Sequence, residues 1–201
     1  MAEFKRIDFG SGHAYKVIDS SVQRKVCGLV PRAQLDRLTR PLNALNTMLL
    51  SPVEYVCMRK PQGERVILVL TRHNKQNACF LITQRATLLV TLSIKSKELF
   101  LENTAFEGYL HESDTQEMTF TLTDVLAMKH IDTSDMDFSV RRAVVCVFSD
   151  VVIDRLGKNN ILVDFANLVD VEQVGMVGSV GEVMLYFRKS PRDKAEVIFE
   201  H

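Results

Sequence analysis

The chain has 201 residues and a mass of 22.8 kDa, and 46% of its residues are hydrophobic while 25% are charged. This length allows a substantial buried core, and the composition is ordinary for a globular protein. Lys plus Arg equals Asp plus Glu, with 25 of each. A global basic field that attracts nucleic acid or acidic membrane is therefore excluded, and any such contact has to come from a local patch.

The first part of the chain predicts a short arm followed by helices. Residues 1–26 are mixed and polar, and within them residues 15–18 are either a short strand or an arm lying on the domain. Pro31 begins a helix whose apolar spacing continues over residues 33–38 until Pro41 ends it. Residues 42–50 are a second short helix or an apolar loop. We therefore predict an N-terminal arm over residues 1–27 and one domain over residues 28–201.

From Val53 onward the pattern is typical of a β-sheet. We predict strands at residues 53–57, 66–72, 78–83, 87–92, 100–101, 104–110 and 118–126, with turns at 73–77 and 112–115. Residues 132–149 predict a helix capped by Ser134 and Asp135, although its valines also suit a strand. Residues 161–171 are ambiguous between helix and strand, and strands at 180–187 and 197–199 follow. This order fits one α+β domain dominated by an antiparallel sheet.

The cysteines and the ends of the chain indicate the cellular setting. Cys27, Cys57, Cys79 and Cys146 are widely separated, and neither they nor the five histidines form a metal-binding motif. This spacing argues against a zinc site and a disulfide framework and favours reduced thiols. The N-terminus lacks a signal sequence, and no apolar run approaches the length of a membrane span. We therefore predict an intracellular protein, cytoplasmic or nuclear, with a viral origin included, that does not contact membrane.

A basic turn separates the first two predicted strands. Lys60, Gly63 and Arg65 lie between the two apolar runs, and Arg85 ends a strand that would pair beside the second run. One amine and two guanidinium groups at one place would bind phosphate oxygens, with arginine making bidentate contacts and lysine acting as a point charge or a nucleophile. The alternative is an ordinary hairpin with solvated basic groups at its strand ends.

Two further segments combine acids with strand patterns. Gly108, between Glu107 and Tyr109, indicates a strand bulge or the close approach of a ligand to the backbone. Asp124 follows apolar Leu122 and precedes Val125, so it is either a buried structural acceptor or a site carboxylate. Asp132, Asp135 and Asp137 are interpreted as capping and solvated charges near a helix start.

Taken in order, these motifs resemble the nucleotidyltransferase domain of mRNA-capping guanylyltransferases, which are related to ATP-dependent ligases. The turn with Lys60, Gly63 and Arg65 is similar to the family's Lys-x-Asp-Gly-x-Arg turn, and Gln84-Arg85 is similar to a strand-end Asp-Arg pair. Glu107-Gly108-Tyr109 stands at the place of an Asp-Gly-Glu strand, Thr123-Asp124 at that of an aromatic-Asp pair, and Gly181-Glu182 at that of a later acidic strand. The resemblance covers residues 28–145 and rests on order and spacing.

The resemblance implies a fold and a reaction. The fold is the antiparallel-sheet nucleotidyltransferase domain of ATP-grasp-like ligases and capping enzymes, here expected without a C-terminal oligonucleotide-binding (OB) domain because the sequence stops at His201. Lys60 would attack the α-phosphate of GTP, form a lysyl-GMP and pass the GMP to an RNA 5′ end. The implied nucleotide-binding residues are Gly63, Arg65, Arg85, Glu107, Tyr109, Asp124 and Glu182. Glu107 and Asp124 would also hold Mg²⁺ or Mn²⁺ in an active enzyme.

The departures from the family pattern leave three hypotheses open. Gln62, Gln84 and Tyr109 stand where the family has acids, and Thr123 stands where it has an aromatic residue. Fewer acids weaken the placement of a metal, while the remaining cations preserve an anion pocket. The chain is then an active guanylyltransferase-type subunit whose protein partner supplies the missing domain, or a silent relative that binds a guanine nucleotide or capped RNA 5′ end without a metal. The snurportin cap-binding domain resembles the second case. The third hypothesis is a scaffold in a transcription or RNA-processing complex.

Overall fold

The computed structural model describes residues 3–31, 40–42, 55–94, 103–152, 161–166, 168–169, 183–187 and 194–197. Within these ranges the helices are α1 (Ser20–Cys27) and α2 (Phe138–Val151). The strands are β1 (Phe4–Phe9), β2 (Gly12–Val17), β3 (Arg40–Leu42), β4 (Tyr55–Arg59), β5 (Glu64–His73), β6 (Gln76–Ile82), β7 (Thr87–Val90), β8 (Thr104–Glu112), β9 (Met118–Met128), β10 (Ile131–Asp132), β11 (Leu162–Phe165), β12 (Leu168–Val169), β13 (Val183–Phe187) and β14 (Lys194–Val197). The prediction of an α+β chain dominated by an antiparallel sheet is confirmed.

The main sheet has nine strands among the described residues. Eight of them lie in the order β1-β2-β7-β6-β5-β8-β9-β10, and β11 pairs with β9 outside this order. All neighbours are antiparallel except β11, which runs parallel to β9. The predicted hairpin turn after β5 is confirmed, because His73 pairs with Gln76 across a two-residue turn. The chain can therefore build most of this sheet from strands that follow one another closely.

The two faces of the main sheet bury different apolar clusters because side chains alternate along each strand. Ile67 and Val69 of β5 pack in one cluster with Val22 and Val26 of α1. The intervening residue of β5, Leu68, packs on the other face in a second cluster. Its members include Phe106 of β8 and Phe148 of α2, whose rings stack with centroids 4.3 Å apart. The sheet is thus covered by α1 on one face and by α2 on the other, which explains why the middle of β5 is a continuous apolar run.

Helix α1 is an element that the polar N-terminal sequence did not predict. It begins after Asp19, whose Oδ1 accepts hydrogen bonds from the backbone amides of Ser21 and Val22 and from the Ser21 hydroxyl. These bonds lower the pKa of Asp19, the Ser21 hydroxyl having the largest effect. The helix is held by this cap and by its buried valines, and not by strong helix propensity. Residues 3–27 thus contain strands β1 and β2 of the main sheet and helix α1, which packs on that sheet. The predicted boundary at residue 27 between an N-terminal arm and the domain stays a prediction.

We expect Asp19→Ala to lower the melting temperature at neutral pH, because alanine cannot accept the amide bonds of the first turn. Asp19→Asn keeps an acceptor and serves as the matched control. A lowered folded-state pKa means that the carboxylate stabilises the fold above its unfolded pKa and loses that contribution as pH falls through the folded pKa. Thermal unfolding between neutral pH and about pH 3 should therefore show the wild type losing more of its melting temperature than Asp19→Asn. An equal loss in both proteins would contradict the cap.

The second sheet has five strands among the described residues, in the order β12-β4-β13-β14-β3. Most of its pairings join strands that are far apart in sequence, since Arg59 of β4 pairs with Val183 of β13 and Arg40 of β3 pairs with Ala195 of β14. It contacts the main sheet through a small cluster of Met58, Tyr109, Phe138 and Ala166. The two sheets therefore meet beside the beginning of β5.

Several predictions of local structure need correction or lie outside the described residues. The helix predicted at 132–149 begins later, at Phe138 after Asp137, so the predicted cap by Ser134 and Asp135 is wrong. Asp132 lies in β10 instead, and its carboxylate accepts from the Ser134 amide. Pro41 lies in β3. The ambiguous segment 161–171 contains strands β11 and β12. Leu42 and Val197 lie in β3 and β14. The rest of the segments predicted at 42–50 (a helix or an apolar loop) and at 197–199 (a strand) falls on residues that are not described, as do the helix predicted at 33–38 and the strand at 100–101.

The described part of the chain bears on two other predictions. No helix within it is long and apolar enough to span a membrane. Cys27, Cys79 and Cys146 form no disulfide there, and the reduced state of the thiols stays a prediction. Burial raises the pKa of the Cys79 thiol to about 12, so this side chain acts as a small core residue and not as a nucleophile.

Candidate functional site

The turn that carries Lys60 joins the two sheets. β4, which precedes it, pairs with β12 and β13, whereas β5, which follows it, pairs with β6 and β8. The alternative of an ordinary hairpin between these two strands is therefore wrong. Lys60 is half-buried directly after β4, so this residue lies at the junction of the sheets and not at an exposed hairpin tip.

Gly63 fixes the path of this turn. Its φ is +107°, a left-handed conformation that favours glycine, and a Cβ atom built there would lie 2.1 Å from the Leu110 carbonyl oxygen. The turn thus passes directly over the end of β8, where a side chain has no room. We conclude that the glycine of the basic turn has a clear structural role.

Arg65 forms an ion pair with Glu107 on the neighbouring strand. Arg65 lies opposite Tyr109 in the β5–β8 register, and Glu107 is its diagonal neighbour on the same face. Arg65 Nε donates to Glu107 Oε1 at 2.7 Å, and the arginine side chain is 27% exposed while that of the glutamate is 3% exposed. The carboxylate thus anchors the guanidinium in one orientation at the edge of the site.

Arg85 lies at the same end of the main sheet. The turn between β6 and β7 is closed by the Thr83 hydroxyl, which accepts from the amides of Arg85 and Ala86. The Gln84 amide donates to Glu64 Oε1 at 2.9 Å, which ties this turn to the first residue of β5. The predicted pairing of the Arg85 strand beside β5 is present, with Ile82 opposite Ile67. The structure therefore brings the Lys60, Arg65 and Arg85 segments to one corner, with Arg85 exposed.

Asp124 is used in a buried ion pair. Arg141 of α2 donates through Nε to Asp124 Oδ1 at 2.9 Å and to Oδ2 at 3.2 Å, and both residues are 1% exposed. The Val125 amide also donates to Oδ1, and Arg141 Nη1 donates to the Met136 carbonyl oxygen. Asp124 thereby joins β9 to the first turn of α2. Of the two roles predicted for this acid, the structure shows the buried structural acceptor.

The donor set of Glu107 and Asp124 does not fit a divalent metal. The two residues are opposite each other in the β8–β9 register, but each carboxylate accepts from its own arginine. A hard cation prefers several oxygen ligands whose charge is not already neutralised. No group of three or more His, Cys, Asp or Glu side chains that would suit a metal is present in the described part of the chain. The contacts of these two acids therefore support no metal-assisted reaction step. Their predicted role as metal ligands stays a prediction.

Gly108 and Tyr109 have packing roles in the main sheet. The register of β8 with β9 is irregular at Glu107 and Gly108, as expected for the predicted bulge. A Cβ atom at Gly108 would lie 2.4 Å from the Thr121 carbonyl oxygen and 2.6 Å from the Phe120 ring. Tyr109 is 3% exposed and packs against Met58. The close approach that Gly108 permits is thus made by Phe120. Glu182, the last predicted site residue, lies outside the described residues.

Two residues that the sequence did not single out organise this corner. Glu64 holds the Arg85 turn, and Arg141 neutralises Asp124. Glu64 sits inside the basic motif, so a carboxylate next to Arg65 was the available signal. The Arg141 contact depends on the packing of α2 on the sheet, which no local pattern encodes.

Comparison with known proteins identifies the class of fold. The chain superposes on a solved structure described as mycobacterial DNA ligase D complexed with ATP and MES, with a TM-score of 0.51 and 12% identity over 80% of this chain and 60% of that one. A structure from a study of DNA binding by Lig E DNA ligases matches with a TM-score of 0.47 and 12% identity, over 80% of this chain and 67% of that one. No protein-family model and no curated protein matches the sequence. The chain therefore has a fold similar to that of the DNA ligase D structure.

Proposed function

We propose that this chain is a nucleotidyltransferase-type domain that binds the phosphates of a guanine nucleotide or a capped RNA 5′ end at the Lys60 turn. The observation that supports the proposal is that the segments carrying Lys60, Arg65 and Arg85 meet at one corner of the main sheet, beside the second sheet. Guanidinium and ammonium groups placed on separate turns suit a chain of phosphates. The guanine preference and the role in mRNA capping or RNA processing come from the sequence resemblance.

Binding is the part of this activity that the described residues support best. Both predicted metal ligands are engaged by arginines, and Arg65, which pairs with Glu107, keeps a side chain that is 27% exposed. In the transfer reaction, the lone pair of Lys60 Nζ would form a bond to the α-phosphorus as the bond to the bridging oxygen breaks and pyrophosphate leaves. The predicted dependence of that reaction on Mg²⁺ or Mn²⁺, and on a protein partner with an OB domain, stays part of the proposal.

We expect the wild type to bind GTP and a methylated cap analogue saturably in calorimetric titrations, and Lys60→Ala and Arg85→Ala to bind each about 10- to 100-fold more weakly. Each substitution removes one charge-assisted contact to phosphate. Lys5→Ala, at an exposed position of β1, is the matched control and should leave the affinity unchanged. Absence of saturable binding by the wild type to any nucleotide would refute the proposed function.

A covalent test separates binding from transfer. The wild type is incubated with [α-³²P]GTP or [α-³²P]ATP and Mg²⁺ or Mn²⁺, and acid-stable label on the protein is measured. If the wild type is labelled and Lys60→Ala is not, the chain is an active nucleotidyltransferase. The nucleotide that labels it better then decides between guanylyl and adenylyl transfer. The ATP arm is included because the DNA ligase D structure was solved with ATP. Nucleotide binding without label would assign the chain to the catalytically silent alternative, a cap-binding or scaffold subunit.

A further inference from the structure

A second basic surface lies at the end of the main sheet opposite the Lys60 turn. Arg65 and Arg72 lie near the two ends of β5, and seven strand residues correspond to about 23 Å. Two adjoining depressions there, of about 960 and 380 Å³, share Leu29 and His130 in their walls. We call this surface the α1 groove; its cations are Arg24, Lys25, Arg72 and Lys129, and His130 lies beside them. It is separate from the corner where Lys60 lies.

The charge of the α1 groove is strongly biased in a chain with no net charge. Its walls combine the end of α1, the end of β5 and the β9–β10 turn, and Asp132 is the one carboxylate among the described lining residues. Lys25, Arg72 and Lys129 are exposed. Such a local cluster on several elements produces the concave positive surface that binds a polyanion.

The β9–β10 turn places Lys129 and His130 side by side at the groove. Met128 pairs with Ile131, so Lys129 and His130 are the two central residues of the turn, and their φ angles are +51° and +67°. A two-residue hairpin with two left-handed positions normally uses Asn-Gly or Gly-Gly; histidine tolerates this region, whereas lysine is disfavoured there.

A polar relay under the groove orients His130. The Thr71 hydroxyl, on a residue that is 4% exposed, donates to Asn103 Oδ1, and Asn103 Nδ2 then donates to His130 Nε2. Asn103 also has a left-handed backbone, with φ at +61°. Because Nε2 accepts, a neutral His130 ring carries its proton on Nδ1 and presents a donor. The relay therefore gives the cationic wall a fixed hydrogen-bond donor.

We propose that the α1 groove binds the sugar-phosphate backbone of a single nucleic-acid strand. Exposed lysine and arginine side chains on three elements, together with an oriented donor, match a row of phosphate oxygens. A concave surface between one helix and one turn has room for one strand, which favours single-stranded over duplex nucleic acid. The inference stands independently of the proposed nucleotide site, because it needs neither Lys60 nor a bound nucleotide.

The test is fluorescence anisotropy with a labelled single-stranded RNA of about 20 nucleotides, without nucleotide or metal, from about 50 to about 200 mM salt. Arg72→Glu/Lys129→Glu should bind at least about tenfold more weakly than the wild type, with the slope of log K against log salt reduced by about 1.4. Lys5→Glu/Lys16→Glu carries the same charge change on β1 and β2 and should bind like the wild type. An equal loss in both variants, or no binding by the wild type, would overturn the proposal.

Two further variants separate binding from folding. Lys25→Glu changes only the exposed surface of α1 and should weaken RNA binding even if the double variant fails to fold. Lys129→Asn places a residue that tolerates the left-handed region, so the melting temperature should stay equal or rise while RNA affinity falls. Unchanged RNA affinity in either variant would count against the groove. Binding to a duplex of the same sequence or to anionic phosphatidylserine vesicles, but not to the single strand, would show that the groove has a different ligand and would overturn the proposal.

Discussion

Replacing Arg141 with alanine is expected to lower the free energy of unfolding by about 3–5 kcal/mol, because it leaves the Asp124 carboxylate buried without a charged partner. Both side chains are 1% exposed, so water cannot replace the lost guanidinium. The substitution also removes the hydrogen bond to the Met136 carbonyl oxygen. Urea unfolding followed by circular dichroism measures the effect, with an unchanged m-value as evidence that only stability changed.

The double variant Asp124→Leu/Arg141→Met is the control for this prediction. Removing both charges together avoids the unpaired carboxylate, so the double variant should lose less stability than Arg141→Ala, and its loss should approach zero if the new side chains pack well. A double variant at least as unstable as Arg141→Ala would show that the pair is not the source of the effect. So would a loss below about 1 kcal/mol in Arg141→Ala.

Gly63→Ala is expected to cost about 2–6 kcal/mol, from about 1–3 kcal/mol for a left-handed alanine and about 1–3 kcal/mol for overpacking. The added methyl group would meet the Leu110 carbonyl oxygen at 2.1 Å, and this backbone atom cannot move without shifting β8. Since the same turn carries Lys60, we also expect nucleotide binding to weaken by at least about tenfold in any folded protein.

Gly12→Ala is the matched control for this substitution. A Cβ atom at Gly12 would have its nearest neighbour, the Phe9 carbonyl oxygen, at 3.8 Å, which is an ordinary contact. Its stability should therefore stay within about 0.5 kcal/mol of the wild type. If thermal and urea unfolding found the two alanine variants equally stable, the close passage of the turn over β8 would be refuted.

Much of the main sheet could be predicted from sequence because its signals are local. Apolar runs and the polar turn at 73–77 marked β5 and β6, and the turn at 112–115 marked β8 and β9. The second sheet could not be predicted in the same way. Its strands are two to five residues long, and except in the β13–β14 pair their partners are distant in sequence. Helix α1 was missed because its cap and its two buried valines are brief signals in a polar segment.

The meeting of the segments that carry the cations could be predicted from sequence, and the partners of the acids could not. Lys60 and Arg85 stand on turns and Arg65 near the start of β5, and these segments meet at one corner. Whether Glu107 and Asp124 can act as site carboxylates depends on which arginine contacts each of them in the folded protein. A sequence motif records that an acid is present, but it does not record that a guanidinium already neutralises it.

The position of the Lys60 turn between two sheets has a consequence for the order of folding. The main sheet consists largely of hairpins such as β5–β6 and β8–β9, whose loops close quickly, whereas β4 needs partners from β12 and β13 near the other end of the chain. Contacts of large sequence separation are the slow ones to form. We therefore expect the lysine to reach its place only in the last step of assembly. During synthesis on the ribosome, the nine-stranded sheet would form before the Lys60 turn takes its final position.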